Sequence, residues 1–186
     1  MSDIRHPFQL PFIRWADVAI IRPRAPLLPR QLYDHELVYV LDGHGAISIH
    51  NEPQPARQDY LFLIQPRMWH AFTPDAGSEL QLLGVHFDWS SEGEVVIYPM
   101  PNRVQAEGNE ELFRAPREII GWDLTAQPFL NLQNRRETRR DLEAVVTEYQ
   151  LCDAQSHARA GALLVAAILT IERTTRQMQE LRESTF

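Results

Sequence analysis

Glu36, His70 and His86 are the residues of this chain whose types could act together on a small molecule. A carboxylate accepts hydrogen bonds or ligates a cation. An imidazole does either with one ring nitrogen while the other is held in place. Arg24 and Arg30 stand upstream of Glu36, and a guanidinium grips carboxylate or hydroxyl oxygens through its planar fork. Trp69 and Phe72 flank His70 and offer stacking or apolar surface. Together these groups suit a polyhydroxylated or weakly anionic ligand. No cofactor is expected. The alternative is a divalent metal at Glu36, His70 and His86, since transition metals take three or more N, O or S ligands from protein. No catalytic residue is assigned: the chain has no phosphate-cradling glycine loop and no nucleophile elbow, and Cys152 has no evident histidine partner.

The elements that must position these groups are short strands. Apolar runs at 18–22, 36–41, 45–50, 60–64, 69–73, 80–88 and 94–98 are separated by turn residues such as Asp42-Gly43 and Pro74-Asp75-Ala76-Gly77. Many short strands at this spacing predict an all-β barrel or sandwich. Strand alternation puts Asp34, Glu36, Val38 and Val40 on the inward face, with His70 and Phe72 facing them, and turns His35 away. His86, in "LLGVHFD", could point inward on the last long strand. Both faces of "ELVYVL" are apolar, so the strand is expected to have a barrel interior on one side and packed elements on the other.

The pattern changes near residue 135. Leu142, Val145, Val146 and Tyr149 step by three and four, and a second helix of 157–182 follows an N-cap region at Asp153-Ala154-Gln155-Ser156. The expected organisation is a barrel with an N-terminal arm over 1–105 and a helical segment over 106–186. A short loop joins the two helices, which predicts an antiparallel pair. Leu164, Ile168 and Ile171 form an apolar stripe that could pack on the barrel, on the neighbouring helix or on a second subunit.

Apolar residues make up 44% and charged residues 23% of 186 residues, the balance of a globular protein. A net charge of −7 argues against a broad nucleic-acid-binding face. The arginines at 135, 136, 139 and 140 alternate with Glu137, Asp141 and Glu143 and read as a solvated helix face. One cysteine, no secretory leader and no apolar run of membrane length together suggest a cytoplasmic protein with no membrane partner.

Glu36 lies seven residues before Gly43, and Pro66 lies four before His70. The pair resembles the two signature motifs of the cupin barrel, and so implies a double-stranded β-helix, or jelly-roll, followed by the helices. In metal-binding cupins the ligands are two motif-one histidines, the acid and the motif-two histidine. Here the motif-one histidine places hold Gln31 or Leu32 and Pro29 or Arg30, and Arg67 replaces the motif-two glycine. "DHELVYVLDGHG", "DYLFLIQPRMWHAF" and "LQLLGVHFD", with the trailing helices, are similar to the N-terminal sensor domain of AraC-type transcription regulators. That resemblance implies a small-molecule effector in the barrel, no turnover, and a homodimer through the C-terminal helices, with Leu164, Ile168 and Ile171 at the seam. It also implies DNA contact only through a helix-turn-helix domain that this chain lacks. The alternatives are a stand-alone metabolite-binding cupin or a metal-dependent cupin enzyme. For the site residues the plainer readings are an arginine partner for Glu36 at the barrel mouth, a hydrogen-bonded strand end for His70, and structural roles for His35 and His86.

Overall fold

The computed structural model describes residues 10–89, 113–133 and 135–184. The expected strand at 94–98 and most of the N-terminal arm lie outside them.

Among the described residues nine strands form two antiparallel sheets. They are β1 (Phe12–Ile21), β2 (Leu27–Arg30), β3 (His35–Asp42), β4 (His44–Ile49), β5 (Glu52–Arg57), β6 (Tyr60–Ile64), β7 (His70–Pro74), β8 (Leu80–Asp88) and β9 (Phe129–Asn131). One sheet has the order β1-β8-β3-β6-β9 and the other β2-β7-β4-β5. From β1 to β4 and from β5 to β8 successive strands switch sheets, while β4 and β5 form a hairpin within one sheet, a jelly-roll arrangement. The fold is therefore mainly β, with two C-terminal helices, α1 (Arg136–Tyr149) and α2 (Ala154–Glu183).

β2 and β5 were not legible as strands because both carry proline. Pro29 sits in β2, and Pro53 and Pro55 sit in β5. Both strands are sheet edges, where one row of backbone N–H groups has no ladder partner to lose. His50 and Asn51, with φ of 50° and 68°, make the two-residue turn from β4 to β5, the positive-φ geometry that suits a tight hairpin. Gly43 turns β3 into β4 at φ 88°; a Cβ there would fall 1.7 Å from the Glu79 carbonyl oxygen.

Two cores share the five-stranded sheet. Between the sheets lie Leu32, Val38, Val40, Ile47, Phe62, Ile64, Phe72, Leu80 and Leu82. On the sheet's other face Leu37, Tyr39, Leu83, Val85 and Phe87 pack with Leu142, Val145, Leu164, Ile168 and Ile171 of the helices. The two apolar faces of β3 thus serve one core each. Helix pairs 135 with 177, 137 with 173, 141 with 170 and 148 with 159 run in opposite directions, so α1 and α2 are antiparallel. The Asp153 carboxylate caps α2 by accepting from the Ser156 backbone N–H at 2.9 Å. By length and composition α2 could cross a membrane, but its apolar stripe is buried against the rest of this chain. β9, from the segment expected to be purely helical, pairs with β6.

Leu164, Ile168 and Ile171 are exposed by 0%, 6% and 0%. They are consumed inside the chain and offer no surface to a second copy. The outward face of α2 consists of other residues: Ala158, Ala162, Ala166, Leu169 and Arg173.

Candidate functional site

Register brings the two motif residues together. Glu36 on β3 is paired directly with His86 on β8, both facing the barrel interior. On the opposing sheet Arg30 of β2 is paired with His70 of β7. The four meet at one end of the barrel and bridge its two sheets. Glu36 Oε1 lies 3.3 Å from His86 Nε2; Oε2 lies 3.6 Å from an Arg30 Nη2 and 4.0 Å from His70 Nε2.

Each imidazole has a defined role. His70 donates through Nδ1 to the Met68 carbonyl at 3.0 Å, and its Nε2 accepts from Arg30 Nε–H at 3.1 Å. That arrangement needs a neutral ring, and burial above all, with the Arg30 charge adding, lowers the His70 pKa to about 4 although Glu36 opposes. His86 lies between two carboxylates, with Nδ1 3.2 Å from Asp34 Oδ1 and Nε2 toward Glu36. Burial works against its proton, but Glu36 and Asp34 outweigh burial, so the ring stays protonated well above 6.5. For Glu36, burial favours the neutral acid; the charges of His86, Arg30 and His70 prevail and keep it ionised.

The network extends beyond the expected residues. Arg14 reaches Asp34 at 3.7 Å and bonds Asp88, and Arg114 donates to the same Asp88 oxygen at 3.3 Å. Arg14, Arg30, Arg114 and protonated His86 thus face Asp34, Glu36 and Asp88, four cations to three carboxylates. Arg14 escaped the sequence reading because β1 carries a bulge: Ile13 pairs with Phe87 and Trp15 with His86, leaving Arg14 as the extra residue. A bulge re-aims a side chain that strict alternation would misplace.

Phe72 lies inside, its ring edge-on to His70 at 5.6 Å and 5.9 Å from the Arg30 guanidinium carbon. Trp69 is 40% exposed and faces away from the interior, because it neighbours an inward residue on the same strand run. Trp15 takes the aromatic place instead, edge-on to His86 at 5.4 Å. Gly84 makes room for it: a Cβ would come 2.8 Å from Trp15 Cζ3 and 3.2 Å from Glu36 Oε1. Arg24 sits exposed in the turn between β1 and β2, and the structure does not bring it to the cluster. His35 faces the helix side, as alternation requires; its Nε2 accepts from the Arg117 backbone N–H at 3.0 Å.

The residues do not fit a metal. His86 lies between two carboxylates that favour its protonated form, and the Nε2 of His70 is taken by Arg30. Among the described residues no group of three or more His, Cys, Asp or Glu is arranged to hold an ion.

Strand order and cluster define a two-sheet jelly-roll barrel with a charged polar end to its interior. More narrowly, residues 29–91, about a third of the chain, match the family model of the AraC-like ligand binding domain. That segment carries Arg30, Glu36, His70, Phe72 and His86. No curated protein matches the chain. Similar solved structures include a cupin protein from Bacteroides fragilis (18% identity over 48% of this chain and 75% of that one, TM-score 0.37). An 11S globulin from Wrightia tinctoria is 19% identical over 38% of this chain and 23% of its own length, TM-score 0.36. A salicylate 1,2-dioxygenase from Pseudoaminobacter salicylatoxidans is 18% identical over 38% and 21%, TM-score 0.35. The chain spans about a quarter of the globulin and about a fifth of the dioxygenase.

Proposed function

We propose that this chain is the effector-sensing part of a cytoplasmic AraC-type regulator: it binds a small polyhydroxylated or weakly anionic molecule at the polar end of the barrel and does not transform it. The observation that carries the reading is the Arg30–Glu36–His70–His86 cluster, which joins the two sheets within the segment of AraC-like type. In the structure Glu36, His70 and His86 are exposed by only 4%, 1% and 2%. Arg30 closes the cluster from the edge strand, and its partners are long enough to exchange. An incoming hydroxyl group would donate to Glu36, and a ligand carboxylate or hydroxyl oxygen would take the guanidinium from it. His86 is fixed by Asp34 and orients Glu36 rather than delivering a proton. A group that holds its proton so firmly is a poor general acid near neutral pH, which favours recognition over catalysis.

In this reading DNA is contacted by a domain outside this chain, and two copies associate through α2. The outward stripe Ala158, Ala162, Ala166 and Leu169 is the surface left for that contact. A thermal-shift screen against pentoses, hexoses and their sugar acids tests the effector claim. A binder raises the Tm of the wild type and not of Arg30→Ala; equal shifts in both proteins would remove the cluster from the site.

A further inference from the structure

A second cleft lies on the helix-side face of the five-stranded sheet, on the opposite side of β3 from Glu36. It has a volume of about 250 Å³ and is lined by His35, Asp88, Trp89, Arg114, Ala115, Pro116 and Arg117. That volume holds several water-sized groups, enough for a ligand of a few heavy atoms.

Among the described residues, three of this lining hold buried polar atoms without a hydrogen-bond partner: His35 Nδ1, Asp88 Oδ1 and Trp89 Nε1. Their grouping is unusual, since buried polar atoms are nearly always paired and each orphan costs about 1–3 kcal/mol. Their roles are fixed by their neighbours. The His35 Nε2 accepts from the Arg117 N–H, so in the neutral ring Nδ1 carries the hydrogen and can only donate; burial, with Arg117 adding, lowers this histidine to about 4 although Asp34 opposes. An indole N–H is a donor only. Asp88 already accepts from Arg14 and Arg114 at Oδ2, which leaves Oδ1 as the single open acceptor. The Arg117 guanidinium lies over the Trp89 ring at 5.0 Å. The lining therefore offers two neutral donors and two guanidiniums against one acceptor.

We infer that this cleft binds a small carboxylate bearing a hydroxyl group, with the carboxylate on Arg117, Trp89 and His35 and the hydroxyl on Asp88. The site shares Asp88 with the charge network at the barrel's polar end but does not rest on the function proposed for the interior. Asp88 nevertheless joins the two, because Arg14 bridges Asp88 to Asp34 and so to His86.

The test is titration of the full chain, labelled with nitrogen-15, with glycolate, read on the indole N–H resonances. A Trp89→Phe variant assigns the Trp89 peak among those of the four tryptophans. The expected result is a saturable shift of the Trp89 peak, weakened about tenfold or more in Arg117→Ala, in which a charged hydrogen bond is lost, and absent with uncharged glycolamide. Arg117 is exposed, so its truncation leaves the fold intact; Arg114→Ala provides a second variant with the same expectation. A Trp89 resonance that does not move, moves without saturating, responds equally to glycolamide, or titrates in the arginine variants as it does in the wild type would overturn the inference.

Discussion

His86 and His70 lie in one cluster with opposite protonation, and each leaves a mark on stability. The folded pKa of His86 is raised above 6.5, so its contribution is complete below that pH and is lost as pH rises toward the folded value. His70 and His35 are lowered to about 4, so the folded state is fully favoured above 6.5 and loses ground as pH falls toward 4. Glu36, lowered from 4.5, adds its loss only below that value. Urea midpoints should therefore peak near pH 6.5 and fall on both sides. His86→Ala should flatten the alkaline limb while lowering stability by about 3–5 kcal/mol, because Asp34 and Glu36 would lose the cation they share. A wild-type midpoint that climbs steadily from pH 6.5 into the alkaline range would contradict the charge assignment. At this scale the sequence was informative where alternation holds: Glu36, His70, Phe72 and His86 fall on the expected inward face. It was silent where alternation breaks. Arg14 enters on a bulge, and Asp88 and Arg114 join through tertiary contacts that no local spacing encodes.

Strands and helices show the same division. β3, β6 and β8 were readable because burial on both faces demands continuous apolar runs. β2 and β5 were hidden by prolines that only an edge position tolerates, and β9 is three residues long. Gly84 on β8 shows how an element is cut to fit the site. Gly84→Ala should cost about 1–3 kcal/mol by crowding Trp15 and Glu36, measured by denaturation together with a change in tryptophan emission; an unchanged spectrum and midpoint would show that the interior has slack. For α2 the periodicity gave the helix but not the partner of its apolar stripe. Leu164→Ala should cost about 2–5 kcal/mol through the cavity it leaves. Leu169, 43% exposed, should tolerate Asp without loss of fold, and light scattering should then show monomers. Retained dimers would place the contact away from this face.

The described residues form a barrel whose five-stranded sheet has one face toward the polar cluster and the other packed on helices. β3 and β8 carry Glu36 and His86 inward and Leu37, Val85 and Phe87 outward, so the polar cluster and the core under the helices share two strands. Arg14 adds a second link, since its carbonyl accepts from the Tyr149 hydroxyl of α1 at 2.6 Å while its side chain bonds Asp88. A net charge of −7 argues against a broad nucleic-acid-binding face on this chain. Isothermal titration of a screened sugar or sugar acid into the wild type and into His70→Ala, with mass spectrometry of the recovered ligand, tests the central claim most directly. Saturable heat at one equivalent per chain is expected, weakened about tenfold or more in the variant, with the ligand recovered unchanged. Equal heats from the two proteins, or a ligand recovered as product, would contradict it.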